Sequence, residues 1–211
     1  MSKHKFVPIC AWSVTSLAVF LAIIVWGQSL NWHLSGISNY LLFPIFGLIA
    51  FSILWSQYMS LAARQYFKID SSVLKIYFNV TGWLVLFSIL LHPGLLVWQQ
   101  WRNGDGLPPG SELHYVTPGL EFVVILGMIN LTILLLFEFR RWLSKYSWWH
   151  YFLYIVDIAI ISIFYHGLKL GSQLQTGWYR YIWIFYGLSY LAAIIYIYRQ
   201  RYVNHQKVTS G

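Results

Sequence analysis

Charged residues are scarce in this chain. Only 9% of its 211 residues are Asp, Glu, Lys or Arg, whereas 58% are hydrophobic. A soluble globular domain has about a quarter charged residues, so a mostly solvated surface is excluded. The net charge is +8, but the basic residues lie between apolar runs and form no block. The sequence therefore offers no basic stripe of the kind that binds nucleic acid.

Cysteine and acidic residues are also few. With Cys10 as its single cysteine, the chain can form neither an intrachain disulfide nor a cysteine-based metal or iron–sulfur site. Six acidic residues are too few for a typical hydrolase site, and no Ser/His/Asp set or HExxH motif is present. No GxGxxG or P-loop motif occurs, which excludes a flavin or nicotinamide site of that kind within the chain.

Long apolar runs are what the sequence does contain. Each is about 20 residues long, which is enough to cross a hydrocarbon core, and none alternates as a barrel strand would. The first run has no cleavage pattern after it and is interpreted as a retained span. We therefore predict one all-α domain (1–211), a six-helix bundle in a cell membrane, surrounded by the lipid bilayer. The predicted spans are 7–26, 40–61, 74–98, 120–139, 149–168 and 179–198.

Lysine and arginine are unevenly distributed among the connections between these spans. One set of connections holds Lys3, Lys5, Arg64, Lys68, Lys75, Arg140, Arg141, Lys145, Arg199, Arg201 and Lys207, and the other set holds Arg102, Lys169 and the border residue Arg180. Excess Lys and Arg marks the cytoplasmic side of a membrane protein. The pattern predicts that both termini lie in the cytoplasm. No internal repeat is evident in the sequence.

Polar side chains inside a span are costly, which makes them candidates for function. Two of them, His92 and His166, lie about 17 residues beyond the inner starts of the third and fifth spans, so they are expected at the same depth. Two imidazoles at one depth on parallel helices can provide both axial ligands of a b-type haem. Each histidine could instead only hydrogen-bond across helices and hold the bundle together.

The neighbours of the two histidines are compatible with a haem. Gly94 and Gly167 could give a flat macrocycle clearance beside the backbone, and Pro93 is expected to bend the third helix. Lys169 and Arg180, near the outer ends of the fifth and sixth spans, could pair with haem propionates.

Two further polar residues lie on the fifth span. His150 is a weak candidate ligand of a second haem, because no histidine lies opposite it on the third span, and an interfacial position is favoured. Asp157 lies about 180° around the helix from His166. It is expected to be a polar clamp, hydrogen-bonded to Asn130, Asn79 or a tyrosine, rather than a proton relay.

Short motifs around these residues resemble the ferric reductase-like transmembrane domain family over roughly 40–198. They are Thr81-Gly82-Trp83, Leu91-His92-Pro93-Gly94, Trp149-His150, Tyr154 and Tyr165-His166-Gly167-Leu168. The resemblance implies a six-helix core with haem-binding histidines on its third and fifth helices. Two-haem members of that family carry another histidine at the position of Phe78 or Asn79, and their inner ligand lies a turn closer to the counterpart of His166. These departures favour one haem b, bound by His92 and His166.

Three functions remain open at this point. The first is a membrane oxidoreductase component that receives electrons from a separate reductase subunit or from a quinol. The second is a haem-free six-helix scaffold or partner subunit. The third, a small transporter that uses Asp157 as its proton site, is the least favoured, because the spans show no paired broken helices.

Overall fold

The protein is an all-helical bundle in its described part. The structure, a computed structural model, describes residues 3–209, without the side chains of residues 3–5, 112, 141 and 204–209. No strand occurs in that range. The long helices are α1 (Lys3–Ser29), α2 (Asn39–Tyr66), α3 (Lys75–Asn103), α4 (Glu121–Glu138), α5 (Trp149–Leu170) and α6 (Trp178–Thr209). All 6 are long and apolar enough to cross a membrane, which confirms the predicted fold class.

The helix ends follow local sequence signals. α3 ends where Gly104 adopts a φ of +88°, a left-handed conformation that glycine takes without a steric penalty. Pro93 lies inside α3, which continues through it as one helix to Asn103. α6 is longer than the predicted span and continues to Thr209, because its last turns are polar and fall outside the hydropathy window.

Contacts between the helices define their relative directions. α2 is antiparallel to α1 and α3, and α5 is antiparallel to α4 and α6; the contacts are Thr15–Ser56, Trp26–Leu41, Ser56–Tyr77, Phe43–His92, Val123–His166, Asn130–Ser162, Phe164–Trp183 and Asp157–Tyr198. α2 and α6 pack side by side in the same direction, since Phe51 meets Trp183 and Tyr58 meets Tyr190. Three helices therefore run one way and three the other.

The two ends of the bundle differ in composition. One end contains the α2–α3 and α4–α5 connections with Arg64, Lys68 and Lys145, and we call it the basic end. The opposite end contains the α3–α4 loop, residues 104–120, and we call it the loop end. The orientation prediction also used four basic residues whose side chains the structure does not describe: Lys3, Lys5, Arg141 and Lys207. Which end of the bundle faces the cytoplasm remains a prediction.

The core is centred on the α2–α6 interface, where aromatic side chains stack in layers. Phe51 stacks on Trp183 at a centroid distance of 4.3 Å, and Trp55 stacks on Tyr186 at 4.2 Å. All four side chains are buried. α3, in contrast, exposes large apolar side chains such as Trp83 and Phe87, as a lipid-facing helix does. This arrangement makes α2 the central helix of the bundle.

Candidate functional site

His92 is oriented by the backbone of the neighbouring helix. Its Nδ1 lies 2.9 Å from the carbonyl oxygen of Phe43, in the second turn of α2. A carbonyl oxygen only accepts hydrogen bonds, so Nδ1 carries the proton and donates it. In that tautomer the lone pair of Nε2 is available. Metal-bound histidines are commonly held in this way, with the second ring nitrogen donating to a carbonyl.

His166 is oriented in the same way on the other side of the bundle. Its Nδ1 donates to the carbonyl oxygen of Val123, in the first turn of α4, again at 2.9 Å. Nε2 of His166 is therefore also the unprotonated nitrogen. Both imidazoles have one ring nitrogen fixed by a helix backbone and one left with a lone pair, which is the state that ligates a metal.

A glycine lies under each imidazole. A Cβ on Gly47 of α2 would come within 2.9 Å of the His92 ring, and a Cβ on Gly127 of α4 would come within 2.6 Å of the His166 ring. These distances are too short for any side chain. Gly47 follows Phe43 by four residues, as Gly127 follows Val123. The missing side chains therefore let each ring lie flat against the neighbouring helix and reach its carbonyl.

The two histidine sites form a structural repeat. In each, a helix running away from the loop end supplies a carbonyl and a glycine, and an antiparallel helix returns with the histidine. The α2–α3 and α4–α5 pairs thus present imidazoles at corresponding positions near the loop end. This repeat could not be recognised in the amino-acid sequence, because it consists of a backbone carbonyl, a glycine and a histidine that lie on separate segments.

The two imidazoles lie on α3 and α5, helices that run in the same direction, and each packs against a different neighbouring helix. Both side chains are only half-buried. α3 makes no extensive contact with α4 or α5 in the described part of the chain. The described residues also contain no group of three or more His, Cys, Asp or Glu side chains. The donor set is thus two imidazoles, which suits the axial positions of a haem rather than a metal that needs three or four protein ligands.

Aromatic side chains cover His92 from the loop end. Phe43 packs beside the His92 ring at 5.1 Å, and Tyr115 of the α3–α4 loop packs edge-on against Phe43 at 5.4 Å. Tyr115 also stacks on Tyr40. Burial, together with Tyr40, raises the pKa of the Tyr115 phenol. The phenol therefore stays neutral at physiological pH, and the cover over His92 remains uncharged.

The glycines predicted to give clearance have other surroundings. A Cβ on Gly167 would come within 2.7 Å of the Trp183 ring, so this glycine makes room for α6 rather than for a ligand. A Cβ on Gly94 would meet nothing within 4 Å, and Gly94 lies beside Trp98 and Leu107 at an outer groove. The glycines in contact with the histidines are Gly47 and Gly127, on different helices from those considered in the sequence.

The predicted propionate partners differ in their contacts. Lys169 lies with its Nζ 5.7 Å above the Tyr165 ring and is exposed. The Arg180 guanidinium donates to the carbonyl oxygens of Leu174 and Gln175. The Arg180 guanidinium is therefore already hydrogen-bonded to the α5–α6 connection. The Lys169 ammonium group is exposed and contacts only an aromatic ring among the interactions described. A propionate contact stays a prediction for both residues.

The other candidates are separate from the histidine pair. His150 is exposed at the basic end and packs against Tyr151. Asp157 accepts hydrogen bonds from three tyrosines, whereas the Asn130 amide donates to Ser162. A surface concavity of about 490 Å³ lies between the α3–α4 loop and α4, and neither histidine lines it.

Comparisons of the chain with protein-family models, with curated proteins and with solved structures find no match. The resemblance to the ferric reductase-like family therefore still rests on the sequence motifs alone.

Proposed function

We propose that this protein binds one b-type haem between His92 and His166 and takes part in electron transfer in a membrane. The observation that carries the proposal is the pair of hydrogen bonds from Nδ1 of each histidine to a helix carbonyl. They leave one Nε2 lone pair on each of two helices that run in the same direction. A haem held by two histidines would use one such nitrogen from each of them.

The residues of the chain have distinct tasks in this proposal. His92 and His166 would hold the group, and the carbonyls of Phe43 and Val123 orient the imidazoles and increase their basicity. Phe43 and Tyr115 pack over His92 from the loop end. A bound haem would supply one-electron chemistry, and its potential depends on the axial ligands, their hydrogen bonds and burial.

The proposed role is that of a ferric reductase-like component that relies on a separate electron donor. The donor would be a reductase subunit or a quinol, because the sequence contains no motif for a flavin or a nicotinamide. With the basic end toward the cytoplasm, the haem would lie nearer the outer surface of the cell membrane, within reach of an acceptor there.

A haem-free scaffold is the second candidate function. The observation in its favour is that each histidine already packs on a glycine and bonds a neighbouring helix, which also stabilises a bundle without a cofactor. The two functions differ in the use of Nε2, which only the haem function requires.

The reduced-minus-oxidised absorption spectrum of the purified protein separates these functions. After expression with ample haem, we expect a b-type α-band in the wild type and its loss in His92→Ala and in His166→Ala. His150→Ala is the matched control, because that imidazole is exposed at the basic end, and it should keep the band. A wild type without the band, or a band that survives the loss of His166, would refute the proposed ligand pair.

A further inference from the structure

Asp157 is held within the membrane-spanning part of the bundle by phenol groups. The Tyr58 hydroxyl, from α2, donates to its Oδ1 at 2.5 Å, and the Tyr190 hydroxyl, from α6, donates to the same atom at 3.5 Å. The Tyr198 hydroxyl, also from α6, donates to Oδ2. Three neutral donors thus surround one carboxyl group at the junction of three helices.

Among the side chains that the structure describes, no basic group forms an ion pair with this carboxyl group. The ion pair found there is Arg140–Glu138, and it lies near the basic end. Asp157 is about eight residues into α5, roughly 12 Å along the helix from Trp149. An ionised carboxylate at such a depth is costly without a cation, whereas a protonated one is not. A proton is therefore the ligand that best fits the site.

A hydroxyl path connects the carboxyl group to the basic end. Tyr198 lies two turns beyond Tyr190 along α6, on the side of Asp157 that faces the basic end, and it is half-buried. The guanidinium of Arg201 lies 5.4 Å from the centre of the Tyr198 ring, and Tyr154 stacks on the same ring. Tyr198 therefore links Asp157 to side chains at the aqueous boundary.

The path is closed toward the loop end. Above Tyr58 and Tyr190, the next layers are the stacked pairs Trp55–Tyr186 and Phe51–Trp183. The indole N–H of Trp55 donates a hydrogen bond to the Ser189 hydroxyl. In these two layers Phe51 and Trp183 are 1% and 2% exposed. A proton that reaches Asp157 thus meets two layers of stacked, buried aromatic rings on the side toward the loop end.

From this geometry we infer that Asp157 is a proton-binding site that exchanges with the basic end through Tyr198 and is closed to the loop end. The inference goes beyond the proposed haem function and does not depend on it. In the uptake step a hydronium ion donates to the Tyr198 oxygen, while the Tyr198 hydroxyl proton passes to Asp157 Oδ2. The products are water, a neutral phenol and a neutral carboxylic acid, so charge and atoms balance.

Titratable and charged groups surround Asp157 on each of the helices packed against it. Tyr58 faces Asp157 from α2, Tyr190 and Tyr198 face it from α6 with Arg201 beyond them, and Tyr154 lies on α5 itself. On α4, Glu138 is paired with Arg140. A carboxylic acid signal from within the bundle is therefore assigned to Asp157.

Infrared titration of the full chain in lipid nanodiscs tests the site. We expect the carbonyl stretching band of a carboxylic acid in an apolar setting to appear as the pH falls and to be absent in Asp157→Asn. Glu138→Gln is the control and should keep the band. Tyr198→Phe should keep the band but slow its shift after transfer to D₂O. A band that persists in Asp157→Asn, or an unchanged exchange rate in Tyr198→Phe, would overturn the inference.

Sidedness is tested with proteoliposomes sorted by a C-terminal affinity tag, because α6 runs from the loop end to Thr209 at the basic end. Vesicles captured by an accessible tag have the basic end outside, and an external pH jump should titrate Asp157 at once. Vesicles with the tag enclosed should respond only after a proton ionophore is added. An equal immediate response in both populations would show that the loop end is open and would contradict the closed path.

Discussion

At the scale of single residues, the site depends on the fit between an imidazole and a glycine on another helix. The sequence indicated His92 and His166 because histidines are conspicuous inside apolar runs. It did not indicate Gly47 and Gly127, because a glycine in a span has many packing roles and its partner lies more than 35 residues away. It also placed clearance at Gly167, which in the structure contacts Trp183.

Substitution of these glycines by alanine tests that fit. A Cβ at Gly47 or Gly127 would overlap the imidazole at 2.9 or 2.6 Å, so the ring must move away from its carbonyl. We expect Gly47→Ala and Gly127→Ala each to lower the free energy of unfolding by about 1–3 kcal/mol. Each should also reduce haem content, measured as the α-band per unit of purified protein.

Gly82 is the matched control for this prediction. It lies inside α3, and a Cβ there would meet nothing within 4 Å. Gly82→Ala should therefore leave the haem content unchanged and leave stability equal or raised by up to about 1 kcal/mol, because alanine favours a helix. If all three variants behave alike, close packing of the imidazoles on glycine is not what orients them.

At the scale of helices, the hydropathy pattern was sufficient to predict that six helices exist and approximately where each one lies in the sequence. Each of the six predicted spans coincides with a helix of the structure, since a run of about 20 apolar residues has few other solutions in lipid. The central position of α2 and its parallel packing against α6 could not be predicted. Lipid tails and protein cores are equally apolar, so a buried face and a lipid-facing one look alike in sequence.

Two phenylalanines distinguish these faces experimentally. Phe51 of α2 is 1% exposed and stacks on Trp183, whereas Phe87 of α3 is 60% exposed. We expect Phe51→Ala to lower the free energy of unfolding by about 3–5 kcal/mol through the cavity that it leaves. Phe87→Ala should change it by less than about 0.5 kcal/mol.

Reversible unfolding in mixed detergent micelles measures both phenylalanine variants under the same conditions. An equal loss of stability in the two variants would mean that α2 is not the central helix. It would also contradict the close packing of the aromatic layers between Asp157 and the loop end.

At the scale of the whole molecule, two helix pairs of the same construction place their histidines near the loop end, while the carboxyl group of Asp157 lies toward the basic end. The sequence indicated this division in part, through the equal depth of the histidines and the opposite faces of His166 and Asp157 on one helix. It could not reveal the three phenol donors, because Tyr58, Tyr190 and Tyr198 are three of the 16 tyrosines in the chain and tyrosine is common at membrane boundaries.

Electron paramagnetic resonance of the oxidised protein, combined with its haem-to-chain ratio, tests whether His92 and His166 together bind one haem. It reports the ligands of the iron itself, whereas an absorption band reports only that haem is present. We expect one haem per chain with the low-spin ferric signal of two imidazole ligands, because the Nδ1 hydrogen bonds leave an Nε2 lone pair on both His92 and His166. A high-spin signal, a ratio of two, or a chain purified without haem after expression with ample haem would contradict the account.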